Sequence, residues 1–172
     1  MEAPVEVVIR RLQTAGEGRA LARMMTESEP WLTLCRSFDD NLKLILDPAK
    51  EAYVAVAGDS ALGIVLLHLH GPLNGYLQLI AVMPESRKAG IGLKLIHFAE
   101  ERIFQVSTNV FLCVSSFNLR AQKLYARLGY ERVGEFKDYI VAGHSEILMR
   151  KTLGPQSAFA VPTRGASAGH LE

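Results

Sequence analysis

The sequence predicts one mixed α/β (α+β) domain built on a single sheet, and three observations carry that prediction. Residues 76 to 103 read as a strand, a glycine-bearing loop and a helix, with an apolar strand following at Val110 to Ser115. That order implies a parallel strand pair with a right-handed crossover. Ala52 to Ala57 and Ala61 to His70 flank a Gly58-Asp59-Ser60 turn, as in an antiparallel hairpin. Tyr130 to Phe136 and Ser145 to Lys151 add two more strand-like runs after a second helix.

In chain order, Val5 to Leu12 alternates β-branched residues with polar ones and reads as the first strand. Gly16 to Thr26 reads as a helix, with Leu21, Met24 and Met25 as a partial apolar stripe. Pro30 ends it, because the residue before proline disfavours α geometry. Trp31, alone in the linker between helices, reads either as a core plug, the preferred reading, or as part of a binding surface. Ser37 and Asp40 have capping-box spacing and open a helix that runs through Leu46 to the stop at Asp47-Pro48. His68 and His70 lie two apart and should share one strand face. With no third ligand nearby they are not expected to bind a metal. Leu95, Phe98, Ala99 and Ile103 should turn one helix face to the sheet. The near-continuous apolar run Val110 to Ser115 predicts a strand covered on both faces. Ala121, Leu124, Tyr125 and Leu128 form one buried helical stripe, with Asn118 at the start and Gly129 after the end.

Composition narrows the function classes. The 172 residues suffice for one domain with one sizeable core. A hydrophobic content of 49% with 22% charged residues is ordinary for a globular chain. A net charge of +1 with no long basic run argues against nucleic-acid binding. Apolar runs are too short for a membrane span. The acidic start Met1-Glu2-Ala3-Pro4 does not look like a signal peptide. Cys35 and Cys113 are expected to be small core residues in a reducing, cytoplasmic setting.

The chemistry centres on Arg87-Lys88-Ala89-Gly90-Ile91-Gly92. A loop that becomes the first turn of a helix presents unpaired N–H groups, and the helix dipole adds positive character there. Gly90 and Gly92 lack a Cβ, so a diphosphate can approach the backbone, and Arg87 and Lys88 add positive charge. A P-loop needs Gly-Lys-Ser/Thr, but here Leu93-Lys94 follows Gly92. A dinucleotide fingerprint needs a third glycine, but position 95 is Leu.

Arg-x-x-Gly-x-Gly after a strand ending Ala-Val-x-Pro resembles the acetyl-CoA motif of the GNAT superfamily of N-acetyltransferases. Asn118-x-x-Ala121-x-x-x-Tyr125-x-x-Leu128-Gly129-Tyr130 is similar to the second motif of that superfamily. The resemblance implies a mixed, mostly antiparallel sheet of six or seven strands with about four flanking helices, whose fourth and fifth strands splay apart. It implies that Ile80, Ala81 and Val82 pair with pantetheine amides and that Arg87, Lys88, Ala89, Gly90, Ile91 and Gly92 hold the pyrophosphate of acetyl-CoA, the co-substrate. Asn118 and Tyr125 join these cofactor-binding residues. Tyr125 matches the position of the acid that protonates the departing thiolate. The base does not carry over: one branch has a glutamate where this chain has Cys113, another where it has Tyr76. His68, His70, Gln78 through water, His144 and Glu146 stay open as candidates.

The expected activity is direct transfer of an acetyl group to an amine on a small molecule or a peptide. Absence of the strand-five glutamate counts against protein N-termini as acceptors. The alternative is a catalytically weak acyl-CoA-binding or regulatory domain, against which an intact Tyr125 argues. No metal, nucleic acid or membrane is expected to take part. Residues 1–153 are expected to form the domain. Residues 154–172 should form a flexible tail, in which Phe159, Val161 and Leu171 could anchor on a second molecule of a homodimer.

Overall fold

The computed structural model describes residues 6–159. The elements run β1 (Val7–Arg11), α1 (Ala15–Thr26), α2 (Phe38–Ile45), β2 (Glu51–Ala57), β3 (Ser60–His70), β4 (Asn74–Val82), α3 (Ile91–Phe104), β5 (Asn109–Ser115), α4 (Leu119–Arg127), β6 (Glu131–Phe136) and β7 (Glu146–Thr152). The strands form one seven-stranded sheet in the order β1-β2-β3-β4-β5-β7-β6. Only β4 and β5 pair in parallel; the other neighbours are antiparallel.

Local chemistry starts the two N-terminal helices. Ser37 caps α2 as its spacing predicts: its side chain accepts from the Asp40 amide, and Asp40 answers at the Ser37 amide. Thr14 and Glu17 make the same reciprocal box on α1, a pair the sequence reading does not single out. Arg10 on β1 also pairs with Glu17 and, by hydrogen bonding, holds its carboxyl down to about 2.

Helices cover both faces of the sheet. On one face, Leu21 and Met25 of α1 and Ile45 of α2 pack with Val54, Ile64, Leu66, Leu79 and Ala81. On the other, Leu95, Ala99 and Ile103 of α3 pack with Val65, Leu67, Leu77 and Leu112. Each large apolar side chain so buried contributes about 1.5–3 kcal/mol. Trp31 is half-buried against the first of these cores, in keeping with a plug.

The parallel pair needs a close crossing at Gly75. Its φ is +81°, and a Cβ there would stand 2.4 Å from the Asn109 carbonyl oxygen and 2.6 Å from Ile103 Cγ2. Backbone blocks one side, so the clash cannot be relieved by a rotamer change. Gly75→Ala should therefore cost about 2–3 kcal/mol, read as a lower urea midpoint with an unchanged slope.

Several expectations need correction. Cys35 is exposed, on a turn where its φ is +52°, and is no core residue. Cys113 is half-buried at a cavity wall. Strand β5 is not covered evenly: Val110, Leu112 and Val114 are buried, while Phe111 and Cys113 on the other face are only half-buried. The α4 stripe is likewise half-buried, with Ala121, Tyr125 and Leu128 lying against the α3-side core.

Beyond β7, Gln156 lies on a short 3-10 turn, and its Oε1 accepts from Ser107 Oγ at 3.0 Å and from the Thr108 amide at 3.3 Å. This latch ties the start of the expected tail to the α3–β5 connection. Val5 and residues 160–172, with Val161 and Leu171, lie outside the described residues.

Candidate active site

A one-residue irregularity shapes the centre of the sheet. Leu66 pairs with Leu79, but Leu67 pairs with Leu77, so Gln78 is an extra residue on β4. Such a bulge bends its strand and re-aims the local side chains. Below it, Leu77 joins the α3-side core; above it, Leu79 and Ala81 join the α1-side core.

The bend opens the sheet. The β4–β5 pairing consists of Tyr76 with Phe111 and Leu77 with Leu112. Beyond that vertex β4 continues to Val82, still paired with β3 on its other side, while β5 continues to Ser115 paired with β7. The backbone of Ile80, Ala81 and Val82 therefore has a sheet partner on one side and a widening gap on the other.

The glycine loop lies at the wide end of this gap. A 3-10 turn over Pro84–Ser86 leads into it, and Arg87 Nε donates back to the Val82 carbonyl at 3.3 Å. Lys88 and Gly90 both sit in the left-handed region, at φ +71° and +77°. Gly90 caps α3, and a Cβ built on it would meet nothing within 4 Å, so the space above the loop is open. Helix α3 begins at Ile91, which places Gly92 in its first turn instead of in the preceding loop. The amides ahead of Lys94, whose own N–H reaches Gly90 at 3.0 Å, have no helix partners and face a positive dipole end. This is an anion cradle of the kind a diphosphate fills. Ala89 is exposed beside it.

Asn118 and Tyr125 are placed by α4. Asn118 Oδ1 accepts from the Ala121 amide at 3.2 Å, which makes it the helix N-cap. Tyr125 packs edge-to-face on Tyr130 with ring centroids 5.5 Å apart. Its hydroxyl makes no hydrogen bond among the described residues, and burial pushes its pKa up to about 12.

Beside the vertex lies a cleft of about 740 Å³. Its lining includes His68, Tyr76, Gln78, Cys113 and Glu146, with Leu34, Phe136, Tyr139, Ile140 and Leu148 supplying apolar surface. The antiparallel register sets Glu146 opposite Ser115, and Ser115 Oγ donates to Glu146 Oε1 at 2.6 Å. Glu146 is only 5% exposed. Burial raises its carboxyl pKa; the Ser115 hydrogen bond and the Arg36 charge oppose that rise without cancelling it. The Cys113 thiol is also pushed up by burial, which makes it a poor thiolate at neutral pH.

Of the five open base candidates, the structure brings His68, Gln78 and Glu146 to this cleft. His70 is exposed at the end of β3, and so the two histidines differ in surroundings despite their spacing. His144 stacks edge-on against Phe117, at 4.9 Å between centroids, outside the cleft lining. Arg36 and Asp40 also line the cleft, and the sequence reading gave neither a site role. No periodicity could have flagged Arg36, which reaches the cleft from an irregular connection. Among the described residues, no three His, Cys, Asp or Glu side chains group in a way that could hold a metal ion, and no helix is long and apolar enough to cross a membrane.

A splayed sheet with a glycine cradle at its mouth defines the class, and sequence comparison agrees. Residues 18–130 match the model of the acetyltransferase (GNAT) family. The chain belongs to that family and is an acyl-CoA-dependent N-acetyltransferase by class. Solved structures share the fold. A GNAT-family protein of Desulfovibrio desulfuricans is 18% identical, with a TM-score of 0.70 over 87% of this chain and 100% of its own. The ribosomal-protein-S18-alanine N-acetyltransferase of Escherichia coli is 15% identical, with a TM-score of 0.70 over 92% and 98% of the two chains. The spermidine N-acetyltransferase of Vibrio cholerae, solved with CoA and spermine, is 22% identical, with a TM-score of 0.65 over 88% and 96%.

Proposed function

We propose that the protein transfers an acetyl group from acetyl-CoA to a primary amine held in the 740 Å³ cleft, with Glu146 as general base and Tyr125 as general acid. The observation that carries this reading is Glu146: a buried carboxylate with a raised pKa, in the cleft that opens beside the β4–β5 vertex. Its raised pKa makes this carboxylate a stronger base than an exposed glutamate.

Acetyl-CoA supplies the activated thioester. The cradle of Arg87, Lys88, Ala89, Gly90, Ile91 and Gly92 would hold its pyrophosphate, and Ile80 to Val82 would offer amide and carbonyl partners along the gap. Asn118 supports the same site by fixing the start of α4. Glu146 Oε2, free of the Ser115 bond, takes a proton from the ammonium form of the acceptor so that the nitrogen can attack. Tyr125 gives its hydroxyl proton to the departing sulfur, and the second proton, shed by the nitrogen as the amide forms, restores the hydroxyl through solvent. A thiol has a pKa of about 8.5, and a tyrosine near 12 stays protonated throughout the working range. The two free thiols, Cys35 and Cys113, fit a reducing cytoplasm.

Gly90→Asp tests the cradle. It adds a carboxylate at the helix N-terminus and strains a φ of +77°. Calorimetry should show affinity for acetyl-CoA falling at least about 100-fold while circular dichroism stays native. Unchanged affinity would rule this loop out as the pyrophosphate site.

A further inference from the structure

The charges that face the cleft are few. They are Glu146 at the wall beside Ser115, Asp40 and Arg36, and His68, Tyr76, Cys113 and Tyr139 are the other titratable groups in the lining. Asp40 is already engaged: its Oδ2 accepts from the Ser37 amide at 3.1 Å and the Ser37 hydroxyl at 2.7 Å. Arg36 differs. Its guanidinium forms no salt bridge and no side-chain hydrogen bond among the described residues, although it lines the cleft. Its backbone is fixed on both sides: Cys35 before it sits in the left-handed region, its own amide donates to Trp31 at 3.0 Å, and Ser37 after it caps α2. The backbone is thus placed, while the guanidinium, with no hydrogen-bond or salt-bridge partner among the described residues, keeps its five donors available to the cavity.

We propose that the acceptor is a zwitterion, a free amino acid with an apolar or aromatic side chain, whose carboxylate pairs with Arg36 while its amine faces Glu146. The inference rests on the transferase reading above and names its substrate class. Leu34, Phe136, Tyr139, Ile140 and Leu148 would receive the side chain. Phe136 is 44% and Tyr139 68% exposed, so apolar surface stands ready at the cleft mouth. A polyamine or aminoglycoside fits poorly. Such a polycation needs several carboxylates free of a competing cation; this cleft has two, Asp40 and Glu146, and the Arg36 charge acts on both. The Arg36 charge also acts on Glu146, holding its raised pKa back, so the two groups share one field.

Matched pairs of acceptors separate this from the transferase reading. L-Phenylalanine and phenethylamine differ only in the carboxylate, and spermidine serves as the polycation. Binding of each to the CoA-loaded protein is measured by calorimetry, and turnover by release of free thiol from acetyl-CoA. The wild-type protein should bind phenylalanine about 10- to 100-fold more tightly than phenethylamine, the range for a charge-assisted pair. In Arg36→Gln the ratio between the twins should collapse towards one, with KM for the amino acid rising more than kcat falls. Equal binding of the twins by the wild-type protein overturns the proposal, as does tighter binding of spermidine. If the twins are discriminated through Arg36 but none is acetylated, the substrate class stands and the transfer reading falls.

Discussion

Replacing Glu146 by glutamine lowers kcat by about 100- to 10,000-fold, while acetyl-CoA affinity measured by calorimetry stays within about two-fold. The substitution keeps side-chain size and the ability to accept from Ser115, so packing is preserved. What it removes is the site for the acceptor's proton. In the wild-type enzyme kcat/KM should rise with pH through the raised Glu146 pKa, and the variant should lose that limb. Stability moves the other way. Because burial raises the carboxyl pKa, the folded chain binds this proton more tightly than the unfolded chain, whose value is about 4.3. The wild type is therefore penalised increasingly as pH climbs from the unfolded value through the folded one. Glu146→Gln should gain Tm relative to wild type at pH 8 and less so at pH 4. A full-rate Glu146→Gln enzyme would exclude the residue as base.

The second large effect belongs to Tyr125. Tyr125→Phe keeps the ring against Tyr130 and deletes only the hydroxyl, which has no protein partner to lose among the described residues. Fold stability should change by less than about 1 kcal/mol, whereas kcat falls by about 100- to 10,000-fold. Because the hydroxyl titrates near 12, the wild-type profile should show no alkaline limb from this group below about pH 11. A direct discriminator is the leaving group. A thioester of a more acidic thiol needs less protonation, so it should restore part of the lost rate in Tyr125→Phe and leave Glu146→Gln impaired. Equal kcat for Tyr125→Phe and wild type would remove the hydroxyl from the chemistry.

The sequence disclosed those features that local spacing encodes. The Ser37–Asp40 cap, the hairpin of β2 and β3 and the strand-to-helix unit around Gly90 all depend on residues within a few positions of one another. Helix α3 begins at Ile91, inside the run Arg87 to Gly92 that reads as loop, because the left-handed Gly90 serves as its cap. The features that decide the chemistry are of another kind. The Ser115–Glu146 contact spans 31 positions and exists because β5 and β7 are neighbours in one particular register. Nothing near Glu146 in sequence marks it above His144. The extra residue at Gln78 is equally silent, since Tyr76 to Val82 alternates as an unbroken strand would. Cys113 misled for a related reason: an apolar run on β5 looks doubly covered, but Cys113 lines the cleft and is only half-buried.

The divergence after Leu77 and Leu112 gives the sheet two inner edges besides its two outer ones. An open edge ordinarily invites another strand and, with it, aggregation. Here the two edges meet in a closed corner, so a polypeptide threading between them would run into the joined backbones after a few residues. Within the plane of the sheet the notch is a cul-de-sac, a shape suited to a group with a free end. In the proposed mode that end is the acetyl group. The corner would then act as a depth stop, fixing how far the pantetheine arm advances and bringing the thioester to rest beside Tyr76, Gln78 and Cys113 at the cleft. One misplaced residue in β4 would thus serve two ends: it measures the co-substrate, and it keeps the opened sheet from recruiting its neighbours.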